Sequence, residues 1–270
     1  MAHGPTMDYQ AGVPRGIPSK GSRYAPPPTD IRAAATLDSL VSAIREISPD
    51  QQKRLWPEPG DHHGNAPRLF LAGDITLLRH PCVAIVGTRQ VSNDGAARAR
   101  RLARDLVGSG VVVMSGLAKG VDTEALTAAM EQAGRVIAVI GTPLEKAYPP
   151  ENKHLQETIY RQHLLISPFK DGTIVHKSFF PHRNKVMAAL SDATVIIEAS
   201  DTSGTLHQAA ECTRLGRWLF VAKSVLDDPK LTWPRSFEKY PRMRPLSTTE
   251  DLLSVLRKTQ AWEFKNEVQV

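Results

Sequence analysis

Four cations stand at positions where a chain of 270 residues could aim them at a phosphate: Arg89, Lys119, Arg183 and Lys185. Arg89 directly follows the run Val83-Ala-Ile-Val-Gly-Thr88, and Lys119 lies inside Ser115-Gly-Leu-Ala-Lys-Gly120. The other two belong to Phe179-Phe-Pro-His-Arg-Asn-Lys185, where aromatics precede two cations and an amide. An arginine can grip a phosphate through two hydrogen bonds, and a lysine supplies a mobile point charge. Aromatic faces beside such cations are the parts that hold single-stranded nucleic acid, although Phe179 and Phe180 would serve equally to anchor a loop to the core. Four turns repeat one chemistry, glycine with a hydroxyl: Gly87-Thr88, Ser115-Gly116 with Gly120, Gly141-Thr142, and Ser203-Gly-Thr205. Glycine lets a backbone approach closely and Ser or Thr can donate a hydrogen bond, though Gly116 and Gly120 could also do no more than shape a tight turn. The candidate set for a groove that holds a sugar-phosphate chain is Gly87, Thr88, Arg89, Ser115, Gly116, Lys119, Gly120, Phe180, Arg183, Asn184, Lys185, Ser203, Gly204 and Thr205.

Other chemistries lack their parts. No G-x-G-x-x-G follows a strand pattern and no G-x-x-x-x-G-K-[ST] occurs, so the usual dinucleotide and triphosphate loops are missing. Ser115, Ser203 and the histidines show no spacing that joins a nucleophile to a base, and no catalytic residue is assigned. Asp122 reads as a carboxylate capping a helix start, and Glu198 as the end of a strand. His62-His63 has no further ligand at metal spacing, and Cys82 and Cys212 form no C-x-x-C pair. Both cysteines read as buried small residues, and neither metal nor cofactor is expected. Arg98, Arg100, Arg101 and Arg104 read as a solvated helix face.

The elements that would carry these turns alternate. Strand patterns cover residues 69–71, 83–86, 111–114, 136–140, 164–166, 194–197 and 218–221, and helical patterns cover 93–107, 121–132, 151–161, 184–190 and 204–215. Strands apolar almost throughout, separated by helices, imply a parallel sheet covered on both faces. The expected class is α/β: an extended Rossmann-like parallel sheet with helices on both faces and a short N-terminal helical extension. Its turns should lie along the carboxyl rim of the sheet, where such folds bind ligands. Residues 1–30, rich in Gly and Pro, read as a disordered tail. Residues 31–67 read as a short helical extension, with Leu37, Leu40, Val41, Ile44 and Ile47 at helical spacing, and a connector. The Rossmann-like domain covers 68–225. A Pro-containing connector and a helix opened by a Ser247 to Glu250 capping box fill 226–270.

Composition agrees with a globular chain, at 41% hydrophobic and 23% charged residues. Thirty-four basic against 28 acidic residues leave a net charge of +6, which permits a polyanionic partner. No apolar run approaches the roughly 20 residues that span a bilayer, so a cytoplasmic protein without membrane contact is expected.

Five ordered segments resemble the DNA-processing protein A family, also called Smf: Val83 to Arg89, Ser115 to Asp122, Val139-Ile-Gly-Thr142 with Tyr148-Pro-Pro-Glu-Asn152, Phe180 to Ser191, and Ile197 to Thr205. The resemblance implies an extended Rossmann domain and non-enzymatic binding of single-stranded DNA. It also implies a homodimer, and loading of the RecA recombinase onto that DNA in natural transformation or recombination. It places Arg89, Ser115, Gly116, Lys119, Arg183, Asn184 and Lys185 along the DNA groove. Departures from the family pattern are Leu126 for a histidine, Pro143 for a glycine, Pro168 for a glutamate, Lys185 for an arginine, and Ala222-Lys-Ser224 where the family has Pro-Gly. Two alternatives remain from other classes. Nucleoside monophosphate hydrolases of the lysine-decarboxylase-like group are similar at Ser203-Gly-Thr205 but need a glutamate where this chain has Gln208. A sensor of a nucleotide-derived ligand, acting in defence against phage, is the other.

Overall fold

The computed structural model describes residues 23–45 and 68–259. Strands fall at Arg32–Thr36 (β1), Arg68–Gly73 (β2), Cys82–Val86 (β3), Val112–Ser115 (β4), Val136–Val139 (β5), Leu164–Ser167 (β6), Ala193–Ile196 (β7), Trp218–Ala222 (β8) and Met243–Leu246 (β9). Helices fall at Leu37–Ile44 (α1), Asn93–Gly108 (α2), Val121–Glu131 (α3), Lys153–Gln162 (α4), Phe179–Leu190 (α5), Thr205–Arg214 (α6), Lys223–Leu226 (α7) and Thr249–Leu256 (α8). The strands form one sheet in the order β1-β2-β6-β5-β4-β3-β7-β8-β9.

The strand patterns explain the layering. Along β3, Cys82, Ala84 and Val86 join the core on one face while Val83 and Ile85 join the core on the other. Alternate residues of a strand point to opposite faces, so an unbroken apolar run needs cover on both. Helices α1, α5 and α6 supply the first cover through residues such as Leu37, Met187 and Ala209. The second comes from α2, α3, α4 and α8 through Leu102, Ala125, Ile159 and Leu252. In α2 the buried Ala99, Leu102, Ala103 and Leu106 recur at helical spacing, and the Ser92 hydroxyl accepts the Gly95 N–H to start the helix.

From β6 through β5, β4, β3, β7 and β8 to β9, neighbours run parallel. The other edge departs from the expected all-parallel sheet, because β2 runs antiparallel to both β1 and β6. The chain lays β4, β5 and β6 outward on one side of β3, then returns to place β7 on its other flank. Connections leaving β3 and β7 therefore diverge, and a crevice opens beyond their carboxyl ends.

Several sequence readings are adjusted at the edges. The N-terminal extension contributes a strand, β1, as well as α1, and the Pro-containing C-terminal connector contributes β9, whose Pro245 sits on an edge strand where its missing N–H is tolerated. Helix α5 starts at Phe179, five residues before the expected start at Asn184. Pro181 is only its third residue, and the first four N–H groups of a helix have no intrahelical partner to lose. The capping box of α8 is Thr248 with Asp251, one residue later than expected. Residues 23–30 are not a free tail. The Tyr24 hydroxyl donates to Leu144 O at 2.8 Å, the Ala25 N–H donates to Glu157 Oε1 at 2.9 Å, and the Tyr160 hydroxyl donates to Ala25 O at 2.7 Å. The rest of the expected tail, the connector with His62-His63, and Ile47 lie outside the described residues.

Helix α1 docks on the first core face, and a buried ion pair fixes its end. Arg45 Nη2 lies 3.1 Å from Asp192 Oδ1, both side chains being 3% exposed. Asp192 also accepts the Cys82 N–H at 2.8 Å, so this pair ties the N-terminal extension to the start of β3. Cys82 and Cys212 are buried thiols not joined in a disulfide, and burial pushes the Cys212 thiol up to about 12.

Candidate nucleic-acid interface

The crevice predicted by the topology is a cleft of about 470 Å³. Its walls come from the β3 turn (Val86 to Gln90), α5 (Phe180, Pro181, Arg183, Asn184, Met187), and the segment from Ser200 to Gln208 that leads into α6. Asp122 closes one side. Of the candidate residues, Gly87, Thr88, Arg89, Phe180, Arg183, Asn184, Ser203, Gly204 and Thr205 meet here. Ser115, Gly116, Lys119, Gly120 and Lys185 do not line it.

Arg89 is exposed, and its guanidinium carbon stands 5.7 Å from the centroid of the Phe180 ring. A cation over an aromatic face at this distance is attracted by about 0.5–1 kcal/mol, enough to bias the arginine toward the cleft mouth without fixing it. The charge stays available for an anion. On the opposite wall Ser203 Oγ accepts the Thr205 N–H at 3.2 Å and lies 2.9 Å from Thr205 Oγ1, shaping the start of α6. Gly204 is exposed, with φ −60°, and a Cβ added there meets no described atom within 4 Å. Neither backbone conformation nor packing within the described residues calls for glycine at this point.

Arg183 has a different place from Arg89. It is 6% exposed, and its Nη1 donates to Val139 O at 2.8 Å and to Gly116 O. Burial holds its guanidinium below the ordinary arginine range; Asp122 opposes that shift and Arg89 adds to it. Asp122 is pushed above the usual carboxylate range by its own burial, against the pull of Arg183 and of the Ala118 and Gly116 N–H groups. Its Oδ2 accepts from Gly116 N at 3.0 Å and Ala118 N at 3.3 Å. Rather than capping α3, in which it sits, Asp122 reaches back to organise the turn after β4. Arg183 and Asp122 together pin the β4 turn, the end of β5 and α5 into one rim.

This pinning explains the glycines of the β4 turn. A Cβ at Gly116 would run into the Arg183 guanidinium, and one at Gly120, whose φ is +74°, would meet Thr88 O and the Arg89 backbone. They serve close packing between turns. Ser115 is fully buried and its hydroxyl donates to Ile85 O at 2.6 Å, leaving it away from the surface. Lys119 is exposed, and its Nζ lies 2.6 Å from Glu151 Oε1, outside the cleft but on the turn that abuts Arg89. Lys185 is half-buried on α5. Glu198, which lies two residues past the end of β7 rather than in it, accepts from the Ser92 N–H at 3.2 Å and the Ser92 hydroxyl at 2.6 Å, so it secures the start of α2. Arg100 does not stand free as a solvated charge, since it pairs with Glu124 at 3.2 Å and with Glu131.

Gln90, Met187, Ser200 and His207 also line the cleft without having been singled out, as does Gln208, which was weighed only against a hydrolase glutamate. Met187 was findable, because it follows Arg183 by four residues on α5, the spacing that repeats one helix face. Gln208 is 1% exposed and its Nε2 donates to Thr194 Oγ1 at 3.1 Å. Among the described residues no cluster of His, Cys, Asp and Glu could hold a metal ion.

A profile of the family described as DNA recombination-mediator protein A matches residues 50–236. The chain belongs to this family. DNA processing protein DprA of Streptococcus pneumoniae is 40% identical over 160 residues, covering 59% of this chain and 56% of that protein. The Bacillus subtilis protein of the same name is 33% identical over 162 residues, covering 60% and 54%. The chain thus spans about half the length of the curated relatives it matches. Among solved structures, S. pneumoniae DprA superposes with a TM-score of 0.64 at 35% identity, covering 70% of this chain and 66% of that one. DNA processing protein A from Helicobacter pylori, described for its single-stranded DNA binding mode, superposes with a TM-score of 0.65 at 26% identity, covering 83% and 96%. The family's Rossmann-like fold is the one described above.

Proposed function

We propose that this member of the recombination-mediator family binds single-stranded DNA across the β3/β7 rim, works as a homodimer in the cytoplasm, and loads RecA recombinase onto the strand. The observation that carries the DNA reading is the exposed Arg89 held over Phe180 at the mouth of a cleft whose far wall is the open backbone at Gly204. A sugar-phosphate chain needs that combination of a cation, an aromatic face and room for close approach. The DNA-binding set is Gly87, Thr88, Arg89, Phe180, Asn184, Ser203, Gly204 and Thr205 within the cleft and Lys119 beside it. Arg183, Ser115, Gly116 and Gly120 act from behind by shaping the rim. Among the described residues no helix is long and apolar enough to cross a membrane. The hydrolase alternative has no support at Gln208, because an amide hydrogen-bonded to Thr194 offers no carboxylate to take a proton.

Gly204→Leu fills the cleft mouth and is expected to weaken binding of a labelled oligonucleotide by tenfold or more, with Gly204→Ser staying near wild type. Leucine is a poor helix N-cap, so denaturant unfolding should show a stability loss of only about 1 kcal/mol. Equal affinities for both variants would move the strand away from this cleft. The mediator role is tested by the rate of RecA filament assembly on a strand pre-bound by the chain, which should exceed the rate on the same strand blocked by an unrelated single-strand binder.

A further inference from the structure

The binding surface continues past the cleft along the segment Tyr148-Pro-Pro-Glu-Asn152. Asn152 anchors this segment to the β4 turn, its Nδ2 donating to Leu117 O at 2.9 Å and Thr123 Oγ1 at 2.8 Å. The anchored segment presents Tyr148, whose ring centroid lies 5.3 Å from that of Phe180 with the ring planes inclined by 48°. Phe180 itself is backed by Gly141, where a Cβ would come 2.7 Å from the ring, so its position is set from below. Tyr148 is 45% exposed, one of three large hydrophobic residues exposed among the described residues, and both its neighbour ring and the Arg89 guanidinium belong to the cleft mouth. An aromatic ring left half in water, packed against a second ring that itself carries the Arg89 guanidinium, has a face ready to stack a planar partner.

We infer that Tyr148 is a base-stacking platform for an unpaired nucleobase of the bound strand, one position beyond the base that meets Phe180. The assignment rests on the single-strand reading of the cleft. The inclined rings cannot hold one base between two parallel faces, so each ring takes its own base and the strand bends as it passes from one to the other. Lys119 and Glu151 sit on the same flank, which puts the backbone near Lys119 while the base turns inward to Tyr148. Stacking contributes to every base through its face, so the platform adds affinity without sequence preference.

The test is anisotropy with the full chain, an oligo-thymidine, and the same strand carrying scattered abasic sites. Tyr148→Ala is expected to weaken thymidine binding by roughly 5- to 150-fold, the range for one lost stacked base. Tyr148→Phe and Tyr148→Trp should restore it, and the slope of log affinity on log salt should not change, since no phosphate contact is removed. On the abasic strand the difference between wild type and Tyr148→Ala should shrink toward one. Wild-type affinity in the alanine variant, or an equal loss on both strands, would overturn the assignment while leaving the cleft in place. A wild-type chain that fails to bind either strand at low salt would overturn the cleft reading and Tyr148 with it. Circular dichroism of the phenylalanine and tryptophan variants guards against a folding defect, because rescue by either requires a folded rim.

Discussion

Arg89→Ala combined with Lys119→Ala lowers affinity for single-stranded DNA by at least tenfold at moderate salt and makes the salt dependence shallower by roughly 0.7 per phosphate contact removed. The two cations should not contribute equally. Arg89 is exposed over Phe180 with its charge free for a phosphate, whereas Lys119 is already engaged with Glu151 at 2.6 Å and must exchange a carboxylate for a phosphate. The Arg89 change alone should therefore cost more than the Lys119 change alone. Anisotropy at four or five salt concentrations separates the two. An unchanged salt slope in the double variant would show that neither side chain touches phosphate.

Arg183→Leu behaves oppositely, and its effect appears first in stability. The guanidinium bridges Gly116 O and Val139 O and faces the buried carboxylate of Asp122. Removing it takes the opposing charge away from the buried Asp122 and leaves two carbonyls short of a donor, each orphaned group costing about 1–3 kcal/mol. Domains of this kind are held by only about 5–15 kcal/mol, so the variant should unfold at markedly lower denaturant. Asp122→Asn in the same background should recover part of the loss, since the unopposed carboxylate is then gone. A variant of wild-type stability with weakened DNA binding would instead make Arg183 a direct ligand.

These contrasts mark where the sequence was legible. The alternation of apolar runs and helical spacing located the central parallel strands, because a strand buried on both faces must be apolar throughout. The outer strands carry weaker signals. Arg32-Ala-Ala-Ala-Thr36 has small side chains of poor strand preference and is half-exposed, and Met243-Arg-Pro-Leu246 contains a proline that only an edge position accepts. Antiparallel pairing of β2 leaves no local trace, since it is decided by where the chain returns.

At the site, residue type predicted location better than role. Glycine with a hydroxyl does mark four turns of the rim, yet the same pair does two jobs. Gly204 stands open at the cleft, while Gly116 makes room for Arg183; Ser203 shapes the cleft wall, while Ser115 bonds to Ile85 O underneath. Spacing along the chain cannot tell an arginine that faces solvent from one threaded beneath a turn. That distinction depends on α5 beginning at Phe179, which carries Arg183 inward and leaves Phe180 at the mouth.

The most direct test of the central claim is a titration of the full chain against a labelled single strand and the matching duplex, side by side across a range of salt. The structure predicts tight, salt-dependent binding to the single strand and much weaker binding to the duplex, whose paired bases cannot reach Phe180. Equal affinity for both, or no binding to the single strand even at low salt, would contradict a strand held by cation and ring at the β3/β7 cleft.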